Sequence, residues 1–292
     1  MVADKKRILI TGDRGMLGSC FYGTISSDYE MIAFEKGTDI TDFAAVDQQL
    51  NDLSPYCIIH TAGYTDVDGC ELNPTKANNV NVAATKNIAK SCAIYKIKMV
   101  YFSSTGVYGN EKITPFVEDD ETKPTTIHHQ SKLNGELVVS ELLHDYIILR
   151  VGWLYGGQLT QKNNFVYRRF LEAHGRESIY SDPNQKGNPT CCDDVVDQTL
   201  LLLNHDHIGV FNCVNVANNT SRYDYVKEII TQLAVNCTVE KSEAGMFTRA
   251  APVSSNESAI NKNLTLSGIN IMGDWKVSLS KYINKIKREN LI

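Results

Sequence analysis

Arg7-Ile8-Leu9-Ile10-Thr11-Gly12-Asp13-Arg14-Gly15-Met16-Leu17-Gly18 sets the architecture of this chain. Branched apolar residues at 8–10 run into three glycines spaced three apart, and Leu17, Phe21 and Ile25 continue at helical spacing. The order is strand, tight turn, helix. Such a turn puts glycine where backbone passes close to a pyrophosphate, and the following helix aims unpaired amides and its positive dipole end at that charge. An ordinary strand-helix turn also accepts glycines, so the surrounding pattern has to decide.

The pattern repeats. Met31-Ile32-Ala33-Phe34 reads as a second strand ending at Glu35-Lys36, about 20 residues past the glycines, where an acidic side chain can take the ribose hydroxyls. Glu35 there favours NAD, whereas Lys36 and Arg14 could accept a 2′-phosphate, so NADPH and NADH both stay open. Thr41-Asp42 caps a helix with Phe43, Val46, Leu50 and Leu53 on one face, and Asp39-Ile40 before it falls beside the adenine. Tyr56 to Thr61 is a buried strand whose carboxyl end delivers Ala62-Gly63-Tyr64-Thr65 to the edge where open parallel sheets bind ligands. Asn73-Pro74 opens a helix through Asn81 to about Lys90, in which Asn81 either satisfies backbone or supports the site. Lys98 to Phe102 and Tyr146 to Val151 are further strands, with a helix from His128 to about Leu143 between them. This alternation predicts an α/β, doubly wound parallel sheet of the Rossmann kind over residues 1–151. The less regular remainder, 152–292, predicts a smaller C-terminal substrate-binding lobe with some segments returning to the first domain. Helices are expected over Asp194–Asn204, over Tyr223–Ala234 and around Leu279, Ile283 and Ile286.

Length and charge restrict the function. The 292 residues carry a net charge of −5 with no long basic run, which argues against nucleic acid as a partner. No apolar stretch approaches a membrane span, and the N-terminus leads into a strand, so a cytoplasmic protein without a membrane partner is expected. The eight cysteines lack metal or disulfide spacing and read as packing residues, Cys191-Cys192 as a buried pair, with no metal site.

Together these motifs resemble the dTDP-4-dehydrorhamnose reductase family of the extended short-chain dehydrogenase/reductases. The resemblance rests on Gly12/Gly15/Gly18, Asp39-Ile40-Thr41-Asp42, Ala62-Gly63-Tyr64-Thr65-Asp66-Val67-Asp68 and Ser103-Ser104 with Val107-Tyr108-Gly109. It continues through Ser131 to Glu136, Ile148-Leu149-Arg150, Trp153-Leu154-Tyr155-Gly156, Asn164-Phe165-Val166 and Gln185 to Thr190. It implies reduction of the C4 keto group of a nucleotide-activated 4-keto-6-deoxy sugar by hydride from NADPH or NADH. By position it has Lys132 hold the nicotinamide ribose and supply positive charge, and with the turn and strand ends read above the expected cofactor contacts are Gly12, Arg14, Gly15, Met16, Leu17, Glu35, Asp39, Ile40, Ala62, Gly63, Tyr64 and Lys132. It gives Ser104 a hydrogen bond to the carbonyl oxygen, and lines the substrate site with Val67, Ser104, Thr105, Trp153, Asn164 and Gln185. A sugar needs a flat apolar wall and fixed polar groups, which suits Trp153 and Gln185, though core packing for the one and an ordinary loop for the other stay open. A homodimer is compatible with it.

The sequence departs from that family at one decisive position. Four residues before Lys132, where the family carries a proton-donating tyrosine, stands His128, and no tyrosine occurs between Tyr108 and Tyr146. Residues 128 and 132 share a helix face, so Ser104, His128 and Lys132 form the candidate catalytic set, with His129 about 100° round the helix and expected in solvent. Imidazole titrates nearer neutrality than phenol, but Lys132 one turn away opposes its charging. Thr105-Gly106 likewise replaces an Asp-Tyr pair of rhamnose-type members. Three readings stay open: a reductase using His128, a catalytically lapsed NAD(P)-binding regulatory protein, or a sugar-nucleotide epimerase.

Overall fold

A computed structural model describes residues 5–159, 161, 163–243 and 245–289. Strand β1 (Lys6–Thr11) leads through the glycine turn to α1 (Met16–Tyr22), followed by β2 (Tyr29–Ala33), α2 (Phe43–Leu53) and β3 (Cys57–His60). Next come α3 (Val67–Leu72), α4 (Pro74–Asn78), a π-turn at Asn79–Ala83, and α5 (Ala84–Tyr95). β4 (Lys98–Ser104) ends in a 3₁₀ turn, Thr105–Tyr108, ahead of α6 (Ile127–Leu142) and β5 (Tyr146–Val151). The later chain holds β6 (Trp153–Tyr155), α7 (Phe165–Ala173), β7 (Ser178–Ser181), β8 (Pro189–Cys191), α8 (Cys192–Asn204) and β9 (Gly209–Cys213). It closes with α9 (Arg222–Leu233), β10 (Thr238–Lys241), α10 (Lys262–Leu266) and α11 (Trp275–Arg288).

The main sheet has the order β2-β1-β3-β4-β5-β9, with every pair parallel. Its strands are continuous apolar runs because helices cover both faces: Ile8, Ile10, Val100 and Leu149 enter one core cluster, Leu9, Ile58, Tyr101 and Ile148 the other. Each fully buried aliphatic side chain there contributes about 1.5–3 kcal/mol. β9 comes from beyond residue 151 and pairs with β5, Val151 opposite Cys213. A separate aromatic core under the later chain gathers Tyr155, Tyr225, Trp275 and Tyr282.

Sequence periodicity overran at one point. Leu17 and Phe21 face the core, and Phe21 packs on Phe102 with ring centroids 5.7 Å apart, but α1 stops at Tyr22 and Ile25 is 98% exposed. Cys191 and Cys192 are both buried, one in each of two cores. No helix among the described residues is long and apolar enough to cross a membrane.

Candidate active site

The strand order reverses between β1 and β3, and open parallel sheets bind ligands where it does. There Gly12 adopts φ +73° and a Cβ on it would lie 2.8 Å from the Ala62 amide nitrogen; a Cβ on Gly18 would overlap the Gly12 carbonyl. Only glycine lets the two loops pack this closely. The resulting cleft, about 810 Å³, is walled by Gly12, Arg14, Gly15, Met16 and Leu17 on one side, and by Ala62, Gly63 and Val67 on the next loop. Gln161 from the later chain clips the glycine turn, its Nε2 donating to the Arg14 and Gly15 carbonyls at 3.0 and 3.1 Å.

Helix α6 supplies the candidate reactive groups. Thr126 caps it by accepting from the His129 amide at 3.1 Å, and Glu71 Oε1 accepts from the Ile127 amide at 2.6 Å, so two of its first amides are satisfied. Asn81, on the π-turn, fixes its orientation: Oδ1 accepts from the Tyr64 amide at 2.7 Å, while Nδ2 donates to the Tyr64 carbonyl at 3.0 Å and to Ser131 Oγ at 2.9 Å. Asn81 thus does both things the sequence left open, serving backbone and bracing the site. π-turns of this kind are frequent at functional sites.

His128, Lys132 and Ser104 all line the cleft. The Lys132 ammonium sits 4.3 Å from the Tyr101 ring centroid, and Tyr101 Oη donates to the Lys132 carbonyl at 3.2 Å. Burial pushes the Lys132 pKa down to about 8, with Glu136 one turn on opposing that shift. His128 is 8% exposed, neither ring nitrogen has a partner, and burial, then His129 and Lys132, hold its pKa well below the ordinary imidazole value. Ser104 Oγ accepts from the Gly106 amide at 3.2 Å, which leaves its hydroxyl hydrogen free to donate.

Several sequence expectations are corrected here. His129 is not in solvent: it is 4% exposed, lines the cleft and packs against Gly106 so closely that a Cβ there would overlap its ring. Asn164 does not line the cleft. It is 0% exposed, caps α7 by accepting from the Tyr167 amide at 3.1 Å, and donates to Tyr282 Oη at 2.7 Å. Thr105 is buried in the 3₁₀ turn, outside the cleft wall. Glu35, Lys36 and Asp39 line a separate shallow depression, with Asp39 Oδ1 accepting from the Thr41 amide at 2.9 Å. Ile40 packs against a core cluster, and Tyr64 meets the site through its backbone bonds to Asn81. Trp153 does line the cleft, and it is also packed: Arg222 Cζ sits 3.5 Å from its ring centroid, Gly187 packs tightly on the indole, and Nε1 donates to Glu257 Oε2 at 2.7 Å.

Gln185 and Val67 do line the cleft. So do Arg222, Arg249 and Glu257, which the sequence pattern did not single out, since nothing local marks them and only tertiary packing brings them to β6.

The RmlD substrate binding domain family matches residues 6–288. This chain belongs to that family. Among its relatives, the dTDP-4-dehydrorhamnose reductase of Mycobacterium tuberculosis (strain CDC 1551 / Oshkosh) is 28% identical over 289 residues, covering 96% of this chain and 93% of that protein. The crystal structure of a dTDP-4-dehydrorhamnose reductase from Clostridium acetobutylicum ATCC 824 superposes with a TM-score of 0.91 at 29% identity, covering 96% of this chain and 99% of that one. That of the Bacillus anthracis str. Ames dTDP-4-dehydrorhamnose reductase, in complex with NADP, gives a TM-score of 0.92 at 28% identity, covering 97% and 100%. The RmlD-family chain shares with them one fold over nearly all of its length, built on a parallel, Rossmann-like central sheet.

His60, His128 and His129 give the fold a pH dependence. All three pKa values are lowered, first by burial, His60 to about 3 while it bonds Thr11 and Thr85 at 2.7 and 3.0 Å. The unfolded chain therefore binds more protons than the native one below the ordinary imidazole value of about 6.5. Stability is expected to be fully present above pH 6.5 and to fall below it by up to about 1.4 kcal/mol per pH unit for each ring. Urea midpoints at stepped pH values check this. A flat stability between pH 6.5 and 5 would contradict it.

Proposed function

We propose that the chain is an NADPH-dependent reductase of the C4 keto group of a nucleotide-activated 4-keto-6-deoxy sugar, with His128 in the position of the family tyrosine. One observation carries the reading: Ser104, His128 and Lys132 share a single cleft with the glycine turn. The cofactor fits the residues present, because the glycine turn, packed on the Thr61–Ala62 loop as only glycine allows, lines the cleft and the buried polar atoms of Ser103, His128 and His129 lack protein partners. Gly12, Arg14, Gly15, Met16, Leu17, Ala62 and Gly63 would hold it, and its nicotinamide would supply the hydride.

The chain's own residues then have to stabilise and protonate the carbonyl oxygen. Ser104 donates its free hydroxyl hydrogen to that oxygen. A neutral His128 is a poor acid outright, since its ring has no ionised proton to give. With both nitrogens unpartnered and Lys132 Nζ bonded to neither, it can instead pass its N–H hydrogen to the oxygen while a water bridging from the Lys132 ammonium returns one to the other nitrogen, ending neutral. Lys132 is thus the net proton source, and its lowered pKa suits that role.

NADPH oxidation against dTDP-, UDP-, GDP- and CDP-linked 4-keto sugars tests the reading; no turnover with any of them sinks it. His128→Ala is expected to lower kcat about 10²–10⁴-fold with NADPH affinity intact. Turnover seen only in His128→Tyr would instead mark a lapsed enzyme.

A further inference from the structure

The substrate half of the cleft carries a guanidinium whose chemistry the reductase reading leaves unused. Arg222, the first residue of α9, is half-buried and forms part of the cleft wall. Its Cζ lies 3.5 Å from the Trp153 ring centroid and 5.2 Å from that of Phe165, and Nε donates to Gln185 Oε1 at 3.4 Å. It makes no ion pair among the described residues: buried Glu257 is bonded to Trp153 Nε1, and neighbouring Arg249 pairs with Asp68 at 3.3 Å. The two terminal amino groups of Arg222 have no protein acceptor among the described residues, and His129 Nδ1, buried in the same cleft, also lacks one.

Half-burying an arginine without a direct ion pair is unfavourable, and burial pushes its pKa down to about 10, although the charge of nearby Glu257 opposes that shift. The stack on Trp153 and the bond to Gln185 hold the planar fork in one orientation, so little rotamer freedom remains to be lost when it meets a two-oxygen acceptor. We propose that Arg222 is the anion-binding residue of the substrate half of the cleft, where its paired N–H groups take a phosphoryl or carboxylate group of the ligand. The inference rests on the reductase reading only in calling that ligand a sugar nucleotide.

Calorimetric binding of inorganic diphosphate, dTDP, UDP-glucose and UDP-glucuronate to the wild type, Arg222→Met and Arg222→Lys tests it, with NADPH binding followed in parallel. Arg222→Met keeps an apolar chain over Trp153. It is expected to weaken binding of the recognised anion about tenfold or more and to flatten its salt dependence, while NADPH affinity holds. Arg222→Lys, which keeps the charge without the fork, should recover only part of the loss. Equal losses for all the diphosphate ligands assign the guanidinium to the diphosphate. A loss for UDP-glucuronate alone assigns it to a carboxylate on the sugar. Affinities unchanged in both variants, or no binding of any of the four probes to the wild type, overturn the proposal. A wild type that binds the anions yet reduces no keto sugar leaves this inference standing and removes the reductase reading.

Discussion

Replacing Lys132 by methionine is expected to lower kcat about 10²–10⁴-fold, the scale on which a positioned proton donor contributes. The pH profile is the sharper result. Lys132 gives its proton as the ammonium, so the wild-type rate should be level below pH 8 and fall as pH rises through about 8, where that ammonium empties. Lys132→Arg keeps a cation over Tyr101 but releases no proton in this range, so it should be slow and lack that limb. Were His128 charged and acting alone, the rate would instead decline on the acid side of neutrality and be nearly lost at pH 8. A kcat profile measured from pH 5.5 to 10 separates the two, and an alkaline limb absent from the wild type would remove Lys132 as the source.

Arg150→Met is expected to destabilise the fold by about 3–5 kcal/mol, because it strands a buried carboxylate. Arg150 Nε and Nη2 clasp Glu136 at 3.0 and 2.7 Å, and Nη1 donates to Tyr108 Oη at 3.0 Å, which in turn donates to Asn212 Oδ1 at 2.7 Å. Both charged side chains are buried, and the guanidinium is held still further above its ordinary pKa by the carboxylate. The network ties α6, β5, the 3₁₀ turn and β9 together one helical turn from Lys132. Removing both charges in Glu136→Leu/Arg150→Met should cost less than Arg150→Met alone, since no unpaired charge is left. Urea unfolding of the three proteins decides it: equal midpoints in the wild type and Arg150→Met would mean the pair contributes nothing.

The sheet was legible in the sequence because each strand is a short apolar run ending in turn residues, and the glycine turn because its geometry admits no Cβ at Gly12 or Gly18. Ser104, His128 and Lys132 were legible for a related reason, as each sits at a strand end or on one turn of a single helix. What failed was any inference needing a neighbour from far along the chain. The 100° argument sent His129 to solvent, yet the turn at Thr105–Tyr108 covers that flank of α6. Asn164 and Thr105 were sorted as ligand contacts, but packing had already engaged one as a helix cap and buried the other. Trp153 was legible as a cleft residue, but nothing near it in sequence announces Arg222, 69 positions on, lying across its ring.

Strand β9 has a consequence for how the molecule is made. It is the outermost partner of β5, and Gly209–Cys213 leaves the ribosome only after the whole nucleotide half has emerged. Until then the backbone of Ile147 to Val151 presents open amides and carbonyls to any passing strand. The nascent chain therefore has an interval of about 60 residues of synthesis in which it needs shielding from its neighbours, some 3–12 s at ordinary elongation rates. Cutting the gene after codon 151 would make that vulnerable interval permanent.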